Sequence, residues 1–217
     1  MRYAIRPMRV EDIRQANEID RESFPTQWPP PSYKREILSG KLAHYFVAWD
    51  REGAPEPIEQ RTAVQGQSSF SWFVGKMRKL LSAEQAPSPT TNQRIVGLAG
   101  VWIMADEAHL TTIGVRKAYR RQGIGELLLI AAITLAAMHN AHVLTLEVRA
   151  SNLAAITLYE KYGLSKIGIR RGYYPEDGED AVVMSTDKLT SASFQSRFQQ
   201  LNQAHTQRWG PADCQIG

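Results

Sequence analysis

The chain has 217 residues, of which 43% are hydrophobic and 22% charged, and it carries a net charge of +4. This length favours one domain with decorations, and the composition is ordinary for a soluble globular protein. The only cysteine, Cys214, excludes an intrachain disulfide framework and a cysteine-based zinc site, and it fits a reducing cytoplasm.

Targeting and membrane-spanning segments are not expected. Residues 1–20 are charged throughout and lack the apolar core of a signal peptide. The longest apolar run, 127–138, is too short to cross a bilayer and predicts a buried helix. The basic charge fits an anionic cofactor or a ribosomal neighbour, but no recognition motif accompanies it, so direct binding to nucleic acid is not expected. We therefore expect a cytoplasmic protein whose oligomeric state the sequence does not define.

The residue patterns predict secondary structure along most of the chain. In the first part we expect a strand, two helices separated by a proline-rich loop, and a strand, at residues 3–7, 10–24, 33–38 and 43–49. In the second part we expect strands at 94–104, 109–115, 143–148 and 181–188, and helices at 127–140 and 152–162. Because strands and helices alternate after residue 107, the pattern predicts an α/β (α+β) architecture.

Two segments fall outside this alternation. Residues 51–93 are rich in Gly, Pro, Gln, Ser and Thr and form an insertion, with one amphipathic stretch at 70–81. That stretch predicts a surface helix, with a lid, a ribosome contact or a membrane-surface helix as alternatives. The tail, 190–217, repeats the apolar spacing more weakly and either docks or stays disordered. We therefore assign 1–189 to one domain carrying an insertion and 190–217 to a C-terminal extension.

An anion-binding helix N-terminus is predicted after the strand at 109–115. Gly123 and Gly125 lack a Cβ, so the backbone can turn tightly and a bulky anion can reach the free N–H groups. Arg120 and Arg121 add positive potential beside the helix dipole, although a solvated basic face would explain Arg120 equally well. The spacing matches neither the P-loop nor the Gly-x-Gly-x-x-Gly dinucleotide motif, which disfavours an NTPase or a Rossmann dehydrogenase.

Polar side chains interrupt two otherwise apolar elements. In the strand that begins at Val143, Glu147 points with Thr145 and Arg149, opposite to the apolar residues. From the pattern alone, such a carboxylate can form an ion pair with a nearby arginine. Asn152 and Tyr159 are seven residues apart, so they share one face of the next helix, where Ser151 or Asn152 also suits an N-cap.

These motifs resemble those of a known family. The segment Arg-Arg-Gln-Gly-Ile-Gly at 120–125 resembles the Arg/Gln-x-x-Gly-x-Gly/Ala signature of the GNAT superfamily of N-acetyltransferases. Residues 146–164, 170–175 and 179–184 resemble its RimI-like ribosomal-protein-alanine N-acetyltransferases and their archaeal and eukaryotic relatives. The resemblance is weak over 1–50 and strong over 94–188. It implies a mixed, strongly twisted sheet flanked by helices, with acetyl-CoA as cosubstrate and no metal.

The resemblance also implies roles for individual residues. Glu147 becomes the general base for an α-amine with an ordinary pKa of about 8, and Tyr159 the general acid that protonates the leaving thiolate. The fourth strand is expected to separate from the fifth, leaving its main chain free for the cosubstrate. The implied acetyl-CoA contacts are Ile113, Gly114, Val115, Arg121, Gln122, Gly123, Ile124, Gly125, Glu126 and Asn152. A tyrosine packed in the core is the alternative for Tyr159.

Acceptor contacts are implied on two loops. Tyr173 and Tyr174, expected in the connection between the last two strands, would cover the first residues of the substrate, with aromatic packing in a turn as the alternative. Trp28 would help to shape the pocket for the first residue. The three prolines after Trp28, and Leu164 where many relatives have Phe, leave the peptide specificity open.

The implied activity is acetyl transfer from acetyl-CoA to a protein N-terminus, with the N-terminal alanine of a small-subunit ribosomal protein as the expected acceptor. No cysteine lies near the motifs, which favours direct transfer over an acetyl-cysteine intermediate. A lysine, polyamine or other small amine is an alternative acceptor. A non-catalytic acetyl-CoA-binding or ribosome-associated module is a further alternative.

Overall fold

The computed structural model describes residues 1–24, 32–40, 42–53 and 92–216. Its strands are β1 Tyr3–Pro7, β2 Ala43–Asp50, β3 Arg94–Met104, β4 Glu107–Val115, β5 Val143–Arg149, β6 Leu164–Tyr174 and β7 Glu179–Thr186. Its helices are α1 Ile13–Ser23, α2 Tyr33–Ser39, α3 Ile124–Met138, α4 Leu153–Lys161 and α5 Ala192–Trp209. Trp28 and the stretch 70–81 lie outside the described residues.

The strands form one sheet of seven, in the order β1-β2-β3-β4-β5-β7-β6. All neighbouring pairs are antiparallel except β4 and β5, which are parallel. Strand pairing between β4 and β5 is confined to three residue pairs, from Glu107 with Val143 to His109 with Thr145. The β3–β4 register shifts just beyond this point, where Leu110 and Thr112 face consecutive residues of β3 and leave Thr111 as an extra residue. The predicted mixed sheet flanked by helices is confirmed.

Helix α3 forms the centre of the main core. Ten of its fifteen residues are buried, and they pack against β3, β4 and neighbouring strands. The helix is apolar nearly all round because it is enclosed by the sheet on one side and by C-terminal residues on the other. It begins at Ile124, three residues before the predicted start, because Gly123 is its N-cap.

Two sequence-based predictions were wrong in detail. The patterns predict no strand at residues 164–174, where the structure has β6. This edge strand has mostly exposed side chains, two interior glycines and two irregularities in its pairing with β7, so its sequence lacks a clear alternating pattern. Tyr173 and Tyr174 are consequently the last residues of β6 and do not lie in the connection. The helix expected at 10–24 begins with a 3₁₀ turn, where Asp12 accepts a hydrogen bond from Arg9 N and pairs with Arg6.

The tail docks on the body of the protein. Helix α5 packs Phe194 into the main core, and residues 210–216 continue to the free edge of β1. There Cys214 forms an isolated parallel β-bridge with Ile5. We call residues 190–216 the C-terminal strap. Across the described ranges, no helix combines the length and apolar character required to span a bilayer.

Candidate active site

A cleft opens between β4 and β5 beyond their last paired residues. β4 continues to pair with β3 as far as Val115, and β5 continues to pair with β7 as far as Arg149, but no β4–β5 pair follows His109 and Thr145. The edge of β4 that faces β5 therefore has backbone groups without a strand partner from residue 110 onwards. The main chain of Ile113, Gly114 and Val115 lies along this edge. The acetyl-CoA contacts that the resemblance implies for it stay predictions, and we call this opening the candidate active-site cleft.

Glu147 lies at this cleft with only 8% of its side chain exposed. The burial of β5 alternates strictly, so Glu147 points away from the face that carries Leu146 and Val148. Its carboxylate oxygens lie 2.9 Å from His109 Nε2 and 3.0 Å from Arg170 Nη2. The ion pair that the sequence left open is thus present. The Arg170 side chain is 56% exposed, so solvent screens its contact, and the arginine is free to exchange for another cation.

His109 was missed at the sequence level. Its Nε2 donates to Glu147, and its Nδ1 lies 3.0 Å from Thr145 Oγ1. The Thr145 hydroxyl also donates to Ala108 O at 3.4 Å, so the contact with Thr145 orients the His109 ring from a fixed position on β5. Only the direct pairing of His109 with Thr145 in the parallel β4–β5 register identifies His109 as a neighbour of Glu147. That register cannot be predicted from the sequence of either strand alone.

Tyr159 approaches from the opposite face of the sheet. It is 5% exposed and belongs to the core cluster that contains Leu146 and Val148. Burial, and then the nearby Tyr174, raise the pKa of Tyr159 above its ordinary value, so the hydroxyl keeps its proton at neutral pH. Glu147 and Tyr159 therefore flank β5 from its two faces, one as a carboxylate and the other as a protonated phenol.

Tyr173 and Tyr174 lie beside these groups. Their rings meet edge to face, and the Arg149 guanidinium lies 3.9 Å from the centroid of Tyr174. Burial raises the pKa of Tyr174 to about 12, and Glu147 is among the charges that contribute. Both tyrosines end β6, the strand that also carries Arg170. The acceptor contacts that the resemblance implies for them stay predictions.

Arg149 holds the turn that follows these tyrosines. It pairs with Glu176, with Asp177 at 2.7 Å and with Glu179 at 2.8 Å. The hydrogen bond from Arg149, together with the Ser151 N–H, lowers the pKa of Glu179 to about 2. The β6–β7 turn is therefore fixed by three carboxylates on one guanidinium.

The loop before α3 has the geometry of an anion site. Arg121 and Gly123 both have positive φ, 64° and 77°, and α3 has no side-chain N-cap. Left-handed residues alternating with ordinary ones turn successive N–H groups towards one side, and the first turn of α3 adds N–H groups without intrahelical acceptors. At Gly125 the nearest atom to an added Cβ is 3.8 Å away, so this side of the loop is open. The loop fits a diphosphate such as that of acetyl-CoA.

Several predicted contacts have side chains that are already engaged. Gln122 accepts from the Tyr3 hydroxyl and donates to Ala118 O. Glu126 binds Lys161 Nζ at 2.5 Å and accepts from the Tyr162 hydroxyl at 2.8 Å. These two residues are therefore available to a ligand through their main chain, while their side chains tie the loop to β1 and α4.

Local structure by itself explains the residue types at Asn152 and Gly114. Asn152 Oδ1 accepts from Ala155 N at 3.2 Å, so of the two N-cap candidates in the sequence, Ser151 and Asn152, Asn152 is the N-cap of α4. A Cβ at Gly114 would lie 2.9 Å from Ser23 Oγ, so the missing side chain allows α1 to pack closely on β4.

Comparison with known proteins defines the class. The model of the Acetyltransferase (GNAT) family matches residues 90–164. A Bacillus subtilis protein with the provisional name [ribosomal protein bS18]-alanine N-acetyltransferase is 33% identical over 181 residues, which cover 83% of this chain and 93% of that protein. The chain therefore belongs to the GNAT acetyltransferase family and is an acetyl-CoA-dependent N-acetyltransferase.

Further relatives carry the same name. The [ribosomal protein bS18]-alanine N-acetyltransferase of Salmonella typhimurium is 36% identical over 130 residues, covering 59% of this chain and 85% of that protein. The crystal structure of the ribosomal-protein-S18-alanine N-acetyltransferase from Escherichia coli matches with a TM-score of 0.58 at 26% identity, over 88% of this chain and 96% of that one. The resemblance to RimI-like enzymes is confirmed.

Proposed function

We propose that this enzyme acetylates the α-amine of a protein N-terminus, with the N-terminal alanine of ribosomal protein bS18 as acceptor. The observation that carries the proposal is the buried Glu147 carboxylate at the opening of β4 and β5, hydrogen-bonded by His109 and covered by an exposed Arg170. The choice of the bS18 alanine as acceptor is based on the names of the relatives.

Glu147 is the general base in this proposal. An incoming α-ammonium carries the same charge as Arg170 and competes with it for Glu147 Oε1. Once the ammonium replaces the guanidinium, Glu147 accepts its proton directly or through one water, and the neutral amine becomes a nucleophile. His109 keeps the other carboxylate oxygen in place through its Nε2–H.

Tyr159 is the general acid. Acetyl-CoA supplies an acetyl group activated as a thioester and leaves a thiolate, whose pKa lies near 8 to 9. The Tyr159 hydroxyl is protonated at neutral pH, as any phenol with a pKa of 10 or above is, and it donates its proton to that sulfur. Transfer is direct, because Cys214 lies at the outer edge of β1, three strands away from β4.

The acceptor assignment is supported by the aromatic residues near Glu147 and by the pairing of the turn's carboxylates with Arg149. Tyr173 and Tyr174 offer flat surfaces to a peptide, and the turn held by Arg149 keeps them in place. Free polyamines would require further carboxylates at the cleft. Among the described residues around Glu147, the three carboxylates of the turn are bound by Arg149, so a peptide fits better than a polycation.

The test is acetyl-CoA turnover with a peptide that begins with the bS18 alanine. Parallel reactions contain the same peptide acetylated at its α-amine, a serine-initiated peptide, a peptide whose only amine is an internal lysine, and spermidine. Transfer to the free alanine terminus, abolished by acetylation, supports the proposal. Transfer only to lysine or spermidine would show that the acceptor is a side-chain amine or a polyamine and would contradict the proposed α-amine acceptor. Tight CoA binding without any transfer would favour the non-catalytic module.

A further inference from the structure

The C-terminal strap touches the predicted diphosphate-binding loop at Gly123. A Cβ added to Gly123 would lie 2.7 Å from Cε2 and Nε1 of Trp209, so the indole packs directly on the glycine. His205, which is 4% exposed, donates from Nε2 to Gly123 O at 3.1 Å. Both contacts come from the helix that follows the last strand of the sheet.

The strap is fastened on both sides of these contacts. At its start, Phe194 and Phe198 stack, Phe198 meets Tyr162 edge to face, and Arg197 donates to the main-chain oxygens of two residues at the end of α4. Beyond Trp209, Ile5 N donates to Asp213 O at 2.8 Å and Gln215 N donates to Ile5 O at 2.9 Å. Trp209 and His205 are therefore held between an anchor on α4 and an anchor on β1.

We propose that the strap is part of the acetyl-CoA site, with Trp209 and His205 as positioning residues for the diphosphate-binding loop. The inference rests on acetyl-CoA binding at this loop. It assigns to the residues after 190 a role in cosubstrate affinity, beyond their contribution to the core.

The geometry of one peptide bond explains how the strap acts on the ligand. Gly123 O accepts from His205 Nε2 and also from Leu127 N, the latter at 2.9 Å. In a trans peptide the C=O and the following N–H point in opposite directions, so fixing Gly123 O aims the Ile124 N–H away from the strap. The indole of Trp209 also keeps Gly123 at its left-handed φ of 77°. Without these contacts the loop would have to be ordered by the ligand, which lowers affinity.

The strap also brings positive charge to the same end of α3. Arg208 Cζ lies 5.0 Å from the centroid of the Trp209 ring, close enough for a cation–π contact. An anionic nucleotide ligand at the N-terminus of α3 would meet this charge in addition to the helix dipole.

The experiment measures CoA affinity by calorimetry for the full chain and for two truncations of aromatic side chains. Trp209→Ala removes the contact with Gly123, whereas Phe46→Leu removes core packing from β2, outside the strap. We expect Trp209→Ala to weaken CoA binding about tenfold, or ~1.4 kcal/mol, and to raise the acetyl-CoA KM similarly, with the peptide KM unchanged. Trp209→Phe should restore part of the affinity, and Phe46→Leu should lower the Tm without changing the CoA Kd.

Other results overturn the inference. If both truncations weaken CoA binding in proportion to their loss of Tm, or if neither does, the strap only stabilises the fold. If Trp209→Ala does not fold, His205→Gln and His205→Leu replace it, because glutamine retains a donor for Gly123 O and leucine does not. Equal CoA affinity of those two variants would contradict the role of the hydrogen bond. Failure of the wild-type chain to bind CoA would instead reject the loop as the cosubstrate site.

Discussion

His109 Nε2 lies 2.9 Å from Glu147 Oε2, across the last paired residues of β4 and β5. The contact places a histidine from one strand on the carboxylate of the next at the point where the two strands separate. The carboxylate is thereby held at the opening through which an amine would approach.

Glu147→Gln should lower kcat about 10²- to 10³-fold, because the amide cannot accept the amine proton. The acetyl-CoA KM should stay near the wild-type value, since the diphosphate-binding loop is not altered. Steady-state kinetics with the alanine-initiated peptide measure both constants. The matched control is Glu107→Gln, which removes an exposed carboxylate at the start of β4 and should leave kcat and KM unchanged. Equal activity of Glu147→Gln and wild type would remove Glu147 as the base.

His109 is expected to act by positioning Glu147. His109→Leu removes the donor to the carboxylate and should reduce kcat about tenfold while the CoA Kd is unchanged. His109→Gln keeps an N–H donor and should recover part of the loss. Thermal melts separate this role from simple destabilisation, because His109→Gln should recover kcat even where the Tm is not restored. Loss of kcat in proportion to the loss of Tm in both variants would indicate a structural residue only.

Tyr159→Phe should reduce kcat about 10²-fold with little change in CoA affinity, because only the hydroxyl proton is lost. Burial raises the pKa of Tyr159 above the ordinary 10.0, so the protonated form persists to higher pH. Wild-type activity should therefore not decline below pH 10 through ionisation of this residue. Tyr162→Phe is the control on the same side of α4. It loses the hydrogen bond to Glu126 and should affect stability more than kcat.

The two glycines of the loop should differ in their tolerance of alanine. Gly123→Ala places a Cβ 2.7 Å from Trp209 at a φ of 77°, and the left-handed conformation alone costs about 1–2 kcal/mol. We expect a lower Tm and weaker CoA binding. Gly125→Ala meets its nearest atom at 3.8 Å and should retain the wild-type Tm. Thermal melts and CoA titrations of both variants test this, and an intolerant Gly125 with a tolerant Gly123 would contradict the loop geometry.

Acid should weaken the β6–β7 turn. Arg149 lowers the pKa of Glu179 from 4.5 to about 2, so the ionised carboxylate stabilises the fold fully above about pH 4.5. This contribution is lost as the pH falls from 4.5 towards 2. Glu179→Gln should therefore lower the Tm at pH 7, and the difference from wild type should shrink below pH 4.5. Glu160→Gln, an exposed carboxylate on α4, should leave the Tm unchanged at both pH values.

Local patterns in the sequence were sufficient to predict most helices and strands and the direction of the side chains they carry. Alternation along β5 placed Glu147 opposite the apolar residues, and the two glycines before α3 marked a helix N-terminus open to an anion, because both properties depend on a few adjacent residues. The missed strand β6 shows the limit of this approach. Its edge position, glycines and exposed side chains remove the alternation on which recognition depends.

Only the tertiary structure decided which residues that are distant in the sequence contact each other. The contacts of Glu147 with His109 and Arg170 require the β4–β5 register and the order in which β7 and β6 follow β5. The contact of Trp209 with Gly123 joins residues 86 positions apart and depends on how α5 packs across the core. The sequence by itself determined the strand, helix and glycine patterns around Glu147, Tyr159 and the loop before α3, and the resemblance supplied the roles proposed for them. Packing and strand register determined which side chains orient them, because these are set by the whole chain and not by any one segment.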